Sequence, residues 1–451
     1  MWDMNRSGPE KFGMEQDRSG SSNRSLGTQW EGIWFGISNM MDSQGVSKQE
    51  LKVFRGDAVG NNNHLHSSKW VNNTLKSLHE VDKNSWTKEL EDQIYALWCL
   101  TNLKGDVISH LMLCDFPKIA KRVLMISTEP RLIEIILGII GNVCSSDKAA
   151  IDTIGSDREL VTQILSYLKS DNSLILIQLI KILKEMSEQI IKNAQSIWVA
   201  YFTECAFFGD CIIFILTTST NDELLTGTMD LVASIFIGAR LTKKNKQKLW
   251  EKLFKIDHFI FAMLESFTRI MSRETRTMRE TSRFEWKFAY NWLGCLNLII
   301  IDPNHVVEGE ICENGEMLSK LMEIIYRILE PCKKLHNLYP IREASAFLIY
   351  NATSILSSLI SYNVNLREIN NILATITFSL RMVSESRFKE ELDPEELVPG
   401  LSNYLDKYWL RMSHSNRQID QQIAEMYRQC KRDFEQYVIG LVSSHPGYST
   451  S

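Results

Sequence analysis

Proline is missing from the whole stretch between Pro130 and Pro303, and the 451 residues contain only 9 prolines and 22 glycines. Both residue types interrupt helices, so their scarcity leaves room for long helices joined by short turns. The nine cysteines, at 99, 114, 144, 205, 211, 295, 312, 332 and 430, form no CxxC pair. Most sit in apolar helical text, such as Cys99 in ALWCL. An odd, scattered set argues against a disulfide framework and for reduced thiols. No uninterrupted apolar run reaches the roughly 18 residues that a membrane helix needs. The strongest, Leu174 to Leu183, is broken by Gln178 and Lys181. The first 30 residues hold no apolar signal core, so the sequons at Asn5, Asn23, Asn72 and Asn351 are expected to stay unused. Catalytic signatures are missing too: no GxxxxGK[ST], GxGxxG after a strand, GxSxG or HExxH occurs. His64 and His66 read as a solvated pair in a polar linker, not a metal site. The sequence names no catalytic residue, no metal ligand and no cofactor.

What is present is helix text. YALWCLTNL (Tyr95 to Leu103) and PRLIEIILGIIGNVCSS (Pro130 to Ser146) are strongly apolar and each carries an asparagine near its end, Asn102 and Asn142. Such runs are too long for strands, and a helix apolar nearly all round must be buried by neighbours. Their separation matches one unit of a stacked helical array, so the expected fold is all-α, an armadillo/HEAT-like superhelical solenoid of irregular repeats. Inner helices are expected at 88–104, 130–145, 172–188 and 222–238. Asp171-Asn172-Ser173 and Thr220-Asn221-Asp222 supply N-caps, and Pro130 opens a helix where its missing N–H costs nothing. Trp98 is expected in the core. Gly138 and Gly141, each costing about 1 kcal/mol in a helix relative to alanine, are expected to mark close helix approach.

The remaining text sets the expected organisation. Residues 1–28 read as a disordered leader, 29–87 as a helical hook (Trp30 to Met41) with a polar linker, and 88–240 as the core repeats. Residues 241–412 read as irregular helical repeats, with helices at 257–300, 315–338, 341–362, 366–386 and 395–412. The stretches 302–310 and 390–400 read as loops. Residues 413–444 read as an amphipathic capping helix and 445–451 as a tail.

Two features suggest binding. Asn102 and Asn142 either point into the groove, where an amide can pair with an extended peptide backbone, or end their own helices. Residues 239–287 carry 13 Lys and Arg against 6 Asp and Glu, in a chain of net charge −5. Lys243, Lys244, Lys246 and Lys248, with Arg269, Arg273 and Arg276, form much of this basic stretch. It reads as a solvated face, a patch for an acidic partner, or a nuclear import signal. Nucleic acid is disfavoured as a partner because glutamates interleave with the arginines, and a membrane is disfavoured because no span exists.

PRLIEIILGIIGNVCSS (130–146) resembles the PRL-E-C-GILGNMAC stretch of the serum amyloid A-like protein family, also described as synoviocyte proliferation-associated. LEDQIYALWCLTNLKGDVISHLMLCDFPKIAKRVL (90–124) and SIWVAYFTECAFFGDCIIFILTTSTNDELL (196–225) are similar to further segments of that family, and Trp34, Phe35 and Gly36 resemble its N-terminal motif. The resemblance is specific over 90–235. It implies an armadillo-like, nuclear protein linked to cell proliferation, without catalytic residues or cofactor. The expected function is therefore a non-enzymatic adaptor or scaffold for protein partners in nucleus and cytoplasm. The alternatives are a chaperone or nuclear-transport cofactor gripping a folded partner, and an enzyme with a site assembled from dispersed helices.

Overall fold

The computed structural model describes residues 68–81, 86–103, 105–193, 196–241, 249–271, 283–300, 307–362 and 364–415, with Arg432 and Gln436. The leader, the Trp30 to Met41 island, most of the capping segment and Lys243, Lys244, Lys246, Lys248, Arg273 and Arg276 lie outside these residues. The chain divides into residues 1–72, of which only the start of helix α1 (Ser68–His79) is described, and 73–451, which holds the array.

Every regular element among the described residues is helical. One row of long helices runs through the array, each packed on the next: α2 (Lys88–Leu103), α5 (Pro130–Ser146), α8 (Ser173–Lys192), α11 (Asp222–Leu241), α14 (Arg283–Ile300), α18 (Glu343–Leu359) and α21 (Leu397–Ser415). These are the inner helices. A second row follows the same order: α4 (Phe116–Ile126), α7 (Arg158–Ser166), α10 (Phe208–Thr218), α13 (Ile256–Met271), α16 (Gly315–Leu329) and α19 (Arg367–Glu385). Shorter helices open the units: α3 (Gly105–Leu113), α6 (Lys148–Ser156), α9 (Ile197–Glu204), α12 (Leu249–Leu253) and α15 (Val307–Glu313). Single turns α17 (Leu335–Leu338) and α20 (Lys389–Leu392) complete the set. Short helix, second-row helix, inner helix is the three-helix plan of armadillo repeats.

The local sequence explains these boundaries. Asn172 Oδ1 accepts from the N–H groups of Leu174 (2.9 Å) and Ile175 (3.4 Å) and starts α8. Asn221 does the same for α11 through Leu224 N–H (2.9 Å), so both expected caps form. Asp157 caps α7 through Leu160 N–H and also binds Lys121 of α4 at 3.1 Å, tying one unit to the next. Burial accounts for the apolar text: every residue from Leu132 to Ile140 in α5 is buried, as is Ile175 to Ile180 in α8.

The structure corrects several expectations. Helix Val307–Glu313 overlaps the expected loop 302–310, and the helical turn Lys389–Leu392 overlaps the expected loop 390–400. The expected helix at 257–300 is two helices, α13 and α14, from different rows. The final inner helix α21 crosses the 412/413 boundary and ends at Ser415. Trp98 is half-buried, not core. Of the two α5 glycines, only Gly138 is forced by crowding: a Cβ there would lie 2.3 Å from Trp98, whereas one on Gly141 would meet Ile182 at an ordinary 3.6 Å.

None of the eight described cysteines is in a disulfide. Burial raises the thiol pKa of Cys144, Cys295 and Cys332, the last to about 12. A thiol held protonated is a poor nucleophile. Alkylation of the native protein without reductant should therefore spare these three, and alkylation in denaturant should label all of them. A disulfide found among them would contradict this packing.

Candidate inner-helix binding face

At the first seam, between α2 and α5, the indole of Trp98 lies on Gly138, whose missing Cβ makes the contact possible. Thr101 Oγ1 donates to Trp98 O (2.7 Å). Asn142 Nδ2 donates to Thr101 Oγ1 (2.8 Å) and reaches Trp98 O (3.4 Å). Tyr95 meets Trp98 edge to face at 5.8 Å, and the Arg131 guanidinium stands 5.2 Å from the Tyr95 ring centre. Arg131 also donates to Glu134 (2.8 Å) and Glu91 (3.4 Å). Desolvation raises the Tyr95 hydroxyl to about 12, so it remains a neutral donor at any physiological pH.

Later seams repeat this cross-helix polar pairing. Lys181 of α8 meets Glu223 of α11 at 3.3 Å. Asp230 of α11, itself buried, accepts from Lys287 and from Asn291 Nδ2 (2.6 Å), both on α14. Asn297 of α14 donates to Asn351 Oδ1 of α18 (2.6 Å), and Asn351 Nδ2 donates back to Phe347 O (2.8 Å). Tyr290 stacks on Phe347 with ring centres 3.8 Å apart, and Tyr350 packs on Tyr404 of α21 at 4.3 Å. Glu185, half-buried on α8, is the exception. Burial raises its carboxyl above the ordinary range, and it forms no ion pair or hydrogen bond among the described residues.

The expected site residues thus fall in different places. Asn102 and Asn142 sit on neighbouring inner helices. Asn102 is exposed, in the last turn of α2. Asn142 ends nothing, because α5 continues to Ser146; its amide joins two inner helices instead. Arg269 lies on α13, in the second row. Sequence reasoning missed Tyr290, Phe347, Tyr350, Tyr404 and the Asn297–Asn351 pair. One signal was available: Trp98/Asn102, Gly138/Asn142 and Phe347/Asn351 share a four-residue spacing on one helix face.

Asn142→Ala should cost about 1 kcal/mol, the net worth of one hydrogen bond. The loss is modest because the Thr101 hydroxyl keeps its bond to Trp98 O. Thermal melting checks this; a collapse of the fold would mean that the seam depends on Asn142 far more than its contacts indicate.

Among the described residues, no group of three or more His, Cys, Asp or Glu is placed to hold a metal ion. No single helix there is long and apolar enough to cross a membrane. The α9–α10 pair reaches that composition only jointly, across a 73° bend.

No protein-family profile matches the chain. Protein SAAL1 of Homo sapiens is 28% identical over 198 residues, covering 41% of this chain and 40% of that protein. Protein saal1 of Danio rerio is 24% identical over 191 residues, covering 40% and 39%. The chain therefore matches about two-fifths of the length of these relatives. Among solved structures, a designed armadillo repeat protein, YIII(Dq)4CqI, aligns with 64% of this chain and 99% of its own at a TM-score of 0.39 and 14% identity. Uso1-2 aligns with 77% of this chain and 52% of its own at 0.45 and 12% identity. Over that shared two-fifths, the chain is a distant homologue of the SAAL1 proteins.

Proposed function

We propose that this chain is a non-enzymatic adaptor that holds an extended segment of a protein partner along its inner-helix face, and that it works in nucleus and cytoplasm in support of cell proliferation. The observation that carries the binding role is the set of part-exposed polar and aromatic side chains at both ends of the inner-helix row: Tyr95, Trp98 and exposed Asn102 on α2 with Asn142 on α5, and Tyr290, Phe347, Tyr350 and Tyr404 on α14, α18 and α21. Stacked repeats turn such a row into one extended surface. Asn102 offers a free donor and acceptor to a backbone laid across it.

Support for a non-catalytic role comes from the buried carboxylates. Glu134 is used by Arg131, Asp230 by Lys287 and Asn291, and Asp393 by the N–H groups of Leu397 (2.7 Å) and Val398 (3.1 Å). All three serve the array. The compartment and the proliferative role rest on the resemblance of residues 90–235 to the serum amyloid A-like family.

A photoreactive amino acid placed at position 102 tests the binding role, with the exposed second-row position 162 as control. In cells, position 102 should cross-link a recurrent partner and position 162 should not. Equal capture at both sites, or none at 102, would refute the groove. Recovery of general chaperones or import receptors alone would move the reading to a folding or transport cofactor.

A further inference from the structure

We infer that the last three inner helices, α14, α18 and α21, form a subsite for an acidic peptide segment bearing aromatic side chains. This rests on the peptide-binding reading above and names the chemistry of one end of the same face.

Four half-buried aromatic rings lie there in two pairs that bridge successive helices: Tyr290 stacked on Phe347, and Tyr350 tilted against Tyr404 by 46°. Gly294 makes room for the first pair, since its Cβ would already touch Phe347 at 3.3 Å. Rings so arranged keep one surface for the helix seam and leave another to solvent. In the same seam Asn297 Oδ1 is buried and has no hydrogen-bond partner, although Asn297 is only 5% exposed.

The charge at this end differs from that at the first four inner helices. There most cations are spent: Arg131 on Glu91 and Glu134, Lys181 on Glu223, Lys184 on Glu188, while Lys192 near the end of α8 faces Lys148. On α21, Tyr404, Lys407 and Arg411 recur at three- and four-residue intervals and so share one helix face. Trp409, on the opposite side of α21, is committed to α19 through Thr377 (2.9 Å), and buried Tyr408 at the edge of the face reaches Asn370 of α19 (2.5 Å). Lys407 is exposed and forms no ion pair among the described residues. Partly exposed rings beside an unused ammonium group complement a peptide that brings its own rings and a carboxylate.

Fluorescence anisotropy with the full chain tests this, using three short labelled peptides: aromatic with aspartate, aromatic with lysine, and leucine with aspartate. The acidic aromatic peptide should bind tightest. Tyr350→Ala and Tyr404→Ala should each weaken it by about thirtyfold, the loss typical of a central aromatic anchor. Lys407→Glu touches no packed contact, so it should leave the melting midpoint in place. It should weaken the acidic aromatic peptide about threefold or more and narrow its advantage over the basic one. Equal binding of all three peptides, no binding of any, or indifference to Lys407→Glu would overturn the assignment. If cross-linking at position 102 persists while these results fail, the groove stands and only this subsite falls.

Discussion

Trp292→Ala is expected to lower stability by about 3–5 kcal/mol, the range for deleting a large buried aromatic. Trp292 is 0% exposed in α14, its ring 4.9 Å from Phe267 of α13, and its Nε1 donates to Met263 O at 2.8 Å. It therefore fastens an inner helix to the second row. Most of the loss comes from the cavity, because Ser266 Oγ also donates to Met263 O and keeps that carbonyl satisfied. Trp292→Phe should cost less, since most of the volume stays. Chemical denaturation followed by circular dichroism checks both. An unchanged midpoint for Trp292→Ala would mean that α14 does not pack on α13 as described.

Gly209→Ala should cost about 3 kcal/mol, at the upper end for overpacking by one methyl group. A Cβ on Gly209 would lie 1.7 Å from the carbonyl oxygen of Leu253 and 2.9 Å from its carbonyl carbon. The obstacle is backbone at the end of α12, so no side chain can swing aside. Gly141→Ala is the matched control. Its Cβ meets only Ile182 at 3.6 Å, and alanine favours helix by about 1 kcal/mol over glycine. Melts should then show Gly209→Ala much weaker than wild type and Gly141→Ala equal or stronger. Equal effects from the two would place the close approach elsewhere.

The first four inner helices were legible because their apolar runs are all-round and their caps, Asn172 and Asn221, are local. Periodicity and capping chemistry act over a few residues, so one sequence carries them. Beyond residue 240 the same plan continues but the spacing of inner helices grows, with α14, α18 and α21 starting at 283, 343 and 397. The turn at Glu330–Lys333 and the short helix Leu335–Leu338 stand between α16 and α18 and stretch that unit past the usual repeat length. Helix α15 has only seven residues, too few for a periodic signal to set it apart from a loop.

The site was less legible than the fold. Asn102 and Asn142 could be picked out on their own helices, but what Asn142 binds lies on the previous unit, 41 and 44 residues back. The pairs Tyr290–Phe347 and Tyr350–Tyr404 join residues from different helices, and no local spacing announces them. Asp230 was indistinguishable from a solvated aspartate until Lys287 and Asn291 were brought to it.

From α2 to α21 each inner helix packs on the next, so the row forms one continuous array. Hydrogen exchange of the full chain, read by mass spectrometry, tests it most directly, since amides in a packed array exchange only on larger-scale opening. Slow exchange through the middle of α14 and α18, matching that of α5 and α8, is the predicted result. Fast exchange throughout α14, α18 and α21, with protection confined to helices before residue 240, would contradict it.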